Sequence, residues 1–343
     1  MKLGVHLGYW GPAPPTGVPE LLRDVEQLGF DAVFAGEAWG SDALSPLAWW
    51  GSATTRLRLG TAVMQMSART PTATAMAALT MDHLSEGRFV LGLGVSGPRV
   101  VEGWYGQPFD RPLARTREYV DIVRQVLARV APVTSSGPHH PLPLLTERAG
   151  GRALRSITHP RRADLPVFLG AHGPRNVALA AEIADGWLPV FFAPRRDAQY
   201  RALLEEGFAR RRTSTPAAAF EVLPSVPVVI DDDVERAADR IRPTIAFYAG
   251  AMGADGQSFH FDHLCRIGFE AEATRVRDLY LEGRHDDAVA AVPTRLVEEI
   301  SLIGPAAKVR AELEIWEASV ATTLLLGAGV DRQTLRMVAE LVS

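Results

Sequence analysis

Short apolar runs alternate along the chain with longer stretches in which apolar residues recur every three or four positions. The runs predict strands over residues 3–7, 31–35, 57–64, 88–93, 165–169, 186–190, 221–229 and 322–326. The periodic stretches predict helices over 16–29, 45–54, 71–84, 113–130, 175–184, 195–212, 231–252, 261–282 and 332–341. Thr16 is placed to cap the first helix and Gly29 to close it in a left-handed conformation. Residues 131–165 break the rhythm with Pro, Gly, Ser and basic residues, and read as an insertion over one end of the domain.

Strands separated by helices imply a parallel sheet with helical crossovers, either a closed barrel or a doubly wound open sheet. The 343 residues show no fixed-period repeat and no linker, so a single domain is expected. Net charge is −4, which offers no basic footprint for nucleic acid. Cys265 is the sole cysteine, so neither an internal disulfide nor a cysteine-rich metal site is available. No apolar run is long enough to span a membrane, and the first residues read as a strand and not as a signal peptide. A cytosolic, reduced protein is expected.

Gly92-Leu93-Gly94-Val95-Ser96-Gly97 follows a strand and matches the G-x-G-x-x-G dinucleotide signature. Pro98 and the Gly103-Trp104-Tyr105-Gly106 interruption do not suit the helix that signature requires, and no acid-ended second strand follows. These glycines are expected instead to let backbone pass closely beneath a planar ligand.

Four stretches together resemble the luciferase-like superfamily in its F420-dependent branch. They are Phe34-Ala35-Gly36-Glu37-Ala38-Trp39-Gly40-Ser41-Asp42; Leu59-Gly60-Thr61-Ala62-Val63-Met64-Gln65; Gly87-Arg88-Phe89-Val90-Leu91-Gly92-Leu93-Gly94; and Leu169-Gly170-Ala171-His172-Gly173-Pro174-Arg175-Asn176, continuing to Ala184-Asp185-Gly186-Trp187. The resemblance implies a single α/β (β/α)₈ TIM barrel with its cofactor at the C-terminal ends of the strands. It implies coenzyme F420, with FMN as the alternative, and a homodimer.

By the same resemblance Gly60, Ala62, Val63, Met64 and Gln65 form a bulge behind the cofactor ring, with a non-prolyl cis bond near Val63–Met64, and Gly97 lies beside it. Gly170, Ala171, His172, Gly173, Pro174, Arg175 and Asn176 resemble the phosphate-binding turn. A glycine-opened helix start with Pro at its first position and an arginine also suits an anion on physical grounds. Many relatives place a proton-transfer histidine after the acid of the second strand. Here that position is Ala38, which leaves Glu37 as the candidate proton-transfer group. Relatives that reduce sugar phosphates carry Gly-Glu and then Asn after the fourth strand. Val95–Val100 departs from this, which argues against a sugar phosphate and leaves Glu102 as a nearby acid.

The implied reaction is hydride transfer between reduced F420 and a C=N, C=O or activated C=C of a small organic substrate. Monooxygenation with FMN and non-catalytic cofactor binding are the other readings. His6, Tyr9, Trp39, Trp104 and His260 are candidates for the substrate pocket. His260 follows a Gly/Ala-rich loop over 250–256. His260 and His263 have metal-ligand spacing but need at least one further ligand. His139 and His140, in the insertion, are expected to face solvent, and Arg195 and Arg196 could meet an anionic cofactor tail.

Overall fold

The computed structural model describes residues 1–146, 149–252, 258–327 and 330–342. In chain order the elements are β1 (Lys2–His6), α1 (Val18–Gln27), β2 (Ala32–Ala35), α2 (Leu44–Gly51), β3 (Arg58–Thr61), β4 (Met64–Gln65), α3 (Pro71–Leu84), β5 (Phe89–Gly94), α4 (Pro98–Gly103) and α5 (Pro112–Ala128). Next come β6 (Leu145–Thr146), β7 (Ala149–Gly150), β8 (Val167–Gly170), α6 (Pro174–Ile183), β9 (Gly186–Leu188), α7 (Asp197–Phe208), β10 (Glu221–Val222), β11 (Ser225–Val226) and β12 (Val228–Ile230). The chain ends with α8 (Val234–Asp239), α9 (Arg242–Gly250), α10 (Phe259–Arg266), α11 (Glu270–Leu281), α12 (His285–Ala290), α13 (Thr294–Ile300), β13 (Leu302–Gly304), α14 (Ala306–Ala318), β14 (Thr323–Leu326) and α15 (Arg332–Val342).

The molecule is an α/β fold built on one curled parallel sheet, in the order β10-β9-β8-β5-β3-β2-β1-β14-β11, with β4 also paired to β5. Only Leu223 and Pro224 separate the two outermost strands in the chain. Ser225 N–H donates to Pro189 O on one side, and Leu325 N–H donates to Pro224 O on the other. Arg58 at the start of β3 makes two hydrogen bonds to Glu221 at the start of β10, at 2.8 and 2.9 Å. Three strands lie between them in the sheet order, so the sheet bends through its own interior. β5 is buried at all six positions, as a parallel strand covered on both faces must be.

The helices begin and end where local chemistry dictates. Gly29 has φ +84° and closes the first helix, but Gly17 starts it, without a Thr16 side-chain cap. Thr70 Oγ1 accepts from Ala73 N–H at the head of α3, and Asp233 accepts from Glu235 and Arg236 N–H at the head of α8. The helix expected over 231–252 is two helices. Pro243, in the first turn of α9, has no N–H to continue the hydrogen-bond ladder. The one expected over 261–282 breaks at Gly268, whose φ is +100°. The 195–212 stretch shortens to α7, and α12, α13, β13 and α14 lie where no element was expected.

The insertion folds back along α5. The Gln125 side-chain amide donates to Thr134 O and accepts from Thr134 N–H, and Glu118 accepts from the Ser135 hydroxyl and from the His139 and His140 N–H groups. Its turn therefore stands at the C-terminal end of the strands, over the side of that end formed by α5. It then returns past Arg129, which donates to Ser156 O, and Arg162 is held by Asp82 and Phe89 O. Residues 253–256 of the loop expected before His260 fall outside the described residues. Among the described residues no helix is long and apolar enough to cross a membrane.

Candidate active site

The strand expected over 57–64 is interrupted. Gly60 faces Val90 and Met64 faces Leu93, so four steps along one strand match three along its neighbour. That is a bulge of one residue. The cis bond is Ala62–Val63, one position before the expected one. Thr61 takes over the broken ladder with its side chain. Its hydroxyl donates to Gly92 O at 2.7 Å and accepts from Gly92 N–H at 2.9 Å. A Cβ on Gly92 would stand 1.8 Å from Thr61 O. A Cβ on Gly94 would stand 2.3 Å from Val63 Cγ2, and one on Gly170 would stand 3.1 Å from Val63 Cγ1. The first two glycines of the apparent dinucleotide signature, Gly92 and Gly94, are there to admit the bulge.

Glu37 is 4% exposed and braces this bulge. Its N–H donates to Val63 O, its carbonyl accepts from Gln65 Nε2, and its carboxylate accepts Gln65 N–H at 2.8 Å. Arg69 Nη1 spans both carboxylate oxygens. The carboxylate expected to move a proton is thus already occupied by a cation and a backbone donor. On the other flank, Ala62 O accepts from His6 Nε2 at 2.8 Å, while His6 Nδ1 accepts from Gly8 N–H. Both ring nitrogens are committed, which fixes the neutral tautomer. Burial also lowers the His6 pKa.

The 170–176 turn leaves β8 and opens α6. Trp187 Nε1–H donates to Ala171 O and Arg266 donates to His172 O, so the turn is fixed from behind. A Cβ on Gly173 would meet nothing within 4 Å, so the front is open. Pro174 starts the helix, and Asn176 N–H is used by Gly173 O. Arg175 is exposed and has no ion-pair partner among the described residues. Gly97 caps α4 opposite Met252 O.

Tyr9 lies over Gly36, where a Cβ would come to 2.9 Å from its ring, and its hydroxyl meets that of Tyr248. Tyr9 is 52% exposed, but loss of solvent around the hydroxyls still raises the pKa of both, and a phenol is protonated at neutral pH in any case. The His260 ring lies edge-on to His172 and Tyr248, each at 4.6 Å, and near Phe191. Burial pushes the pKa of His260 down to about 3 and of His263 to about 4, and holds His172 well below the usual range. His263 Nε2 is spent on Phe191 O, whereas His260 Nδ1 is buried without a partner among the described residues. Trp39 and Trp104 are exposed, Trp104 to 64%. Glu102 binds Phe109 N–H on the surface.

Other placements correct the sequence reading. His139 and His140 do not face solvent; both are half-buried on the inner side of the insertion. Arg195 is paired with Glu299 and Glu312 and Arg196 with Ile267 O, so neither waits for an anionic tail. Arg69 and Tyr248 were missed, because nothing in their local sequence marks them.

A family model described as luciferase-like monooxygenase matches residues 3–323. The chain belongs to this luciferase-like family. A protein of Mycobacterium tuberculosis named "Putative coenzyme F420-dependent oxidoreductase" is 54% identical over 344 residues, covering 100% of this chain and 99% of that one. The phthiodiolone/phenolphthiodiolone dimycocerosates ketoreductase of Mycobacterium bovis is 28% identical over 333 residues, covering 90% of this chain and 80% of its own. The coenzyme F420-dependent tetrahydromethanopterin reductase of Methanopyrus kandleri superposes with a TM-score of 0.80 at 22% identity, covering 99% of this chain and 96% of that one. In this luciferase-like chain a flat ring with an anionic tail fits the observed parts. Val63 makes a floor that Gly94 and Gly170 leave unobstructed, the 170–176 turn is open in front, and Gln65 Oε1 is buried beside the floor without a partner among the described residues.

Proposed function

We propose that the chain is an F420-dependent oxidoreductase that moves a hydride between reduced F420 and a C=O, C=N or activated C=C of a small organic substrate. The observation that carries this reading is the Val63 floor over Gly94 and Gly170, clamped by Glu37 and Arg69. Bound F420 supplies the hydride at its central ring. Gly60, Ala62, Val63, Met64, Gln65 and Gly97 hold the ring in this reading. Gly170, Ala171, His172, Gly173, Pro174, Arg175 and Asn176 hold the phosphate through open backbone and one free guanidinium.

Glu37 serves the reaction by holding the floor. His6 and His260 wall the substrate side, and the exposed Tyr9, Trp39 and Trp104 stand at its rim. The protonated Tyr9–Tyr248 pair is the donor placed to hydrogen-bond an oxygen that gains charge as the hydride arrives. Closure of the sheet into a single-domain eight-stranded barrel, a cytosolic location and a homodimer belong to the same reading.

Titrating the purified protein with F420 and with FMN tests it. F420 is expected to bind, and its reduced form to be reoxidised by at least one ketone, imine or enone of a panel. Tight FMN binding with no affinity for F420 overturns the reading.

A further inference from the structure

A cavity of about 310 Å³ lies beside the bulge, under the tip of the insertion. Its floor is the segment after the bulge, Met66–Ala68 with Arg69; its wall runs from Val95 to Arg115; its roof is His139 and His140. The roof is fastened. Glu118 holds Ser135, His139 and His140, and Gly137 sits so close that a Cβ would come to 2.2 Å from the carboxyl carbon.

Two polar atoms in this lining, Ser67 Oγ and His139 Nε2, are buried and have no hydrogen-bond partner among the described residues. Buried polar atoms are normally paired, so both point to something that fills the space. The charged side chains and the Tyr119 hydroxyl are committed. Arg115 is held by Asp110, Arg69 by Glu37, and the Tyr119 hydroxyl lies between Thr74 and Arg69 O. Burial lowers the His140 pKa and leaves its ring neutral against Tyr119. No uncompensated charge remains, while Met66, Val95, Val101 and Phe109 make the surface mostly apolar. The volume lies at the small end for organic ligands.

We infer that this cavity is a subsite for an uncharged, mainly apolar arm of the organic substrate, ending in a hydroxyl or carbonyl that bonds Ser67 and His139. This rests on the oxidoreductase reading for the identity of the substrate, but not for the binding. Arg69 belongs both to the brace of the bulge and to this floor, and Val95 follows Gly94 under Val63. The arm therefore abuts the redox site without entering the cofactor's place.

Ligand-observed NMR on the whole protein, without cofactor and then saturated with F420, tests this with benzyl alcohol as probe. Toluene serves as the apolar control and benzoate as the charged one. Benzyl alcohol is expected to bind more tightly than either control, alongside F420. Ser67→Ala and His139→Leu are each expected to weaken it by about fivefold, the loss of one hydrogen bond. Displacement by F420 would assign the cavity to the cofactor and overturn the subsite while leaving the oxidoreductase reading intact. Absence of binding, or equal binding by both variants, would mean that water alone satisfies Ser67 and His139. Failure of F420 to bind, with benzyl alcohol still held by Ser67 and His139, would sink the function and spare the cavity.

Discussion

Arg69 Nη1 lies 2.9 and 2.8 Å from the two carboxylate oxygens of Glu37, and the same carboxylate accepts the N–H of Gln65. The pair therefore sets the position of the bulge from the side. Glu37→Gln and Arg69→Met are each expected to lower stability by about 2 kcal/mol, since one buried partner is left alone. The double variant should lose little more than either single one. All three should bind F420 more weakly. Urea unfolding and fluorescence titration check this. A Glu37→Gln variant with intact stability and F420 affinity but no turnover would return Glu37 to the proton-transfer role.

The neutral histidines predict how stability depends on pH. His260 and His263 have folded-state pKa values of about 3 and about 4, below the unfolded value of 6.5. Their contribution is complete above pH 6.5. It is lost as pH falls toward 4, because only the unfolded chain then takes up protons. His172 adds in the same direction. Each such histidine steepens the fall by up to about 1.4 kcal/mol per pH unit. His260→Phe should lower the slope between pH 6 and 4.5 by about one proton, read from urea midpoints. An unchanged slope would refute the buried neutral assignment.

Val63 and Gly94 should behave as a unit. Gly94→Ala places a methyl group where Val63 Cγ2 now lies, at 2.3 Å. F420 affinity is expected to fall by tenfold or more, as ~1.4 kcal/mol of misplacement suffices. Adding Val63→Ala to Gly94→Ala vacates that space and should restore part of the loss. No restoration would show that Gly94 acts elsewhere.

Arg175 offers a charge with no ion-pair partner among the described residues at the head of α6. Arg175→Gln should weaken F420 by about tenfold, within the range for charge-assisted hydrogen bonds. The wild type should also lose affinity with added salt more steeply than the variant. Equal salt dependence in the two proteins would remove Arg175 from the anion site.

What could be read in the sequence was what backbone geometry forces. β5 shows as an unbroken apolar run because both faces are covered. Gly92 and Gly94 show because no Cβ fits against Thr61 and Val63, and Gly170 because a Cβ there would crowd Val63. Gly29 shows because its φ is positive. The partners of these positions do not show. Arg69 reaches Glu37 across 32 residues, and Tyr248 meets Tyr9 from a distant helix, so only the folded chain brings them together. α12 and α13 have six and seven residues, under two turns, too few for an apolar period to accumulate. Pro243 and Gly268 were visible, but the apolar pattern running through them outweighed the breaks they impose.

Glu118 has one more consequence. It holds the insertion at its tip, whereas the bulge and the 170–176 turn are held by other residues. The roof behaves as an interchangeable fitting on a fixed socket. Exchanging 133–142 while retaining Gly137 and Glu118 would change what the neighbouring cavity admits. The surface that carries the redox chemistry would stay as it is.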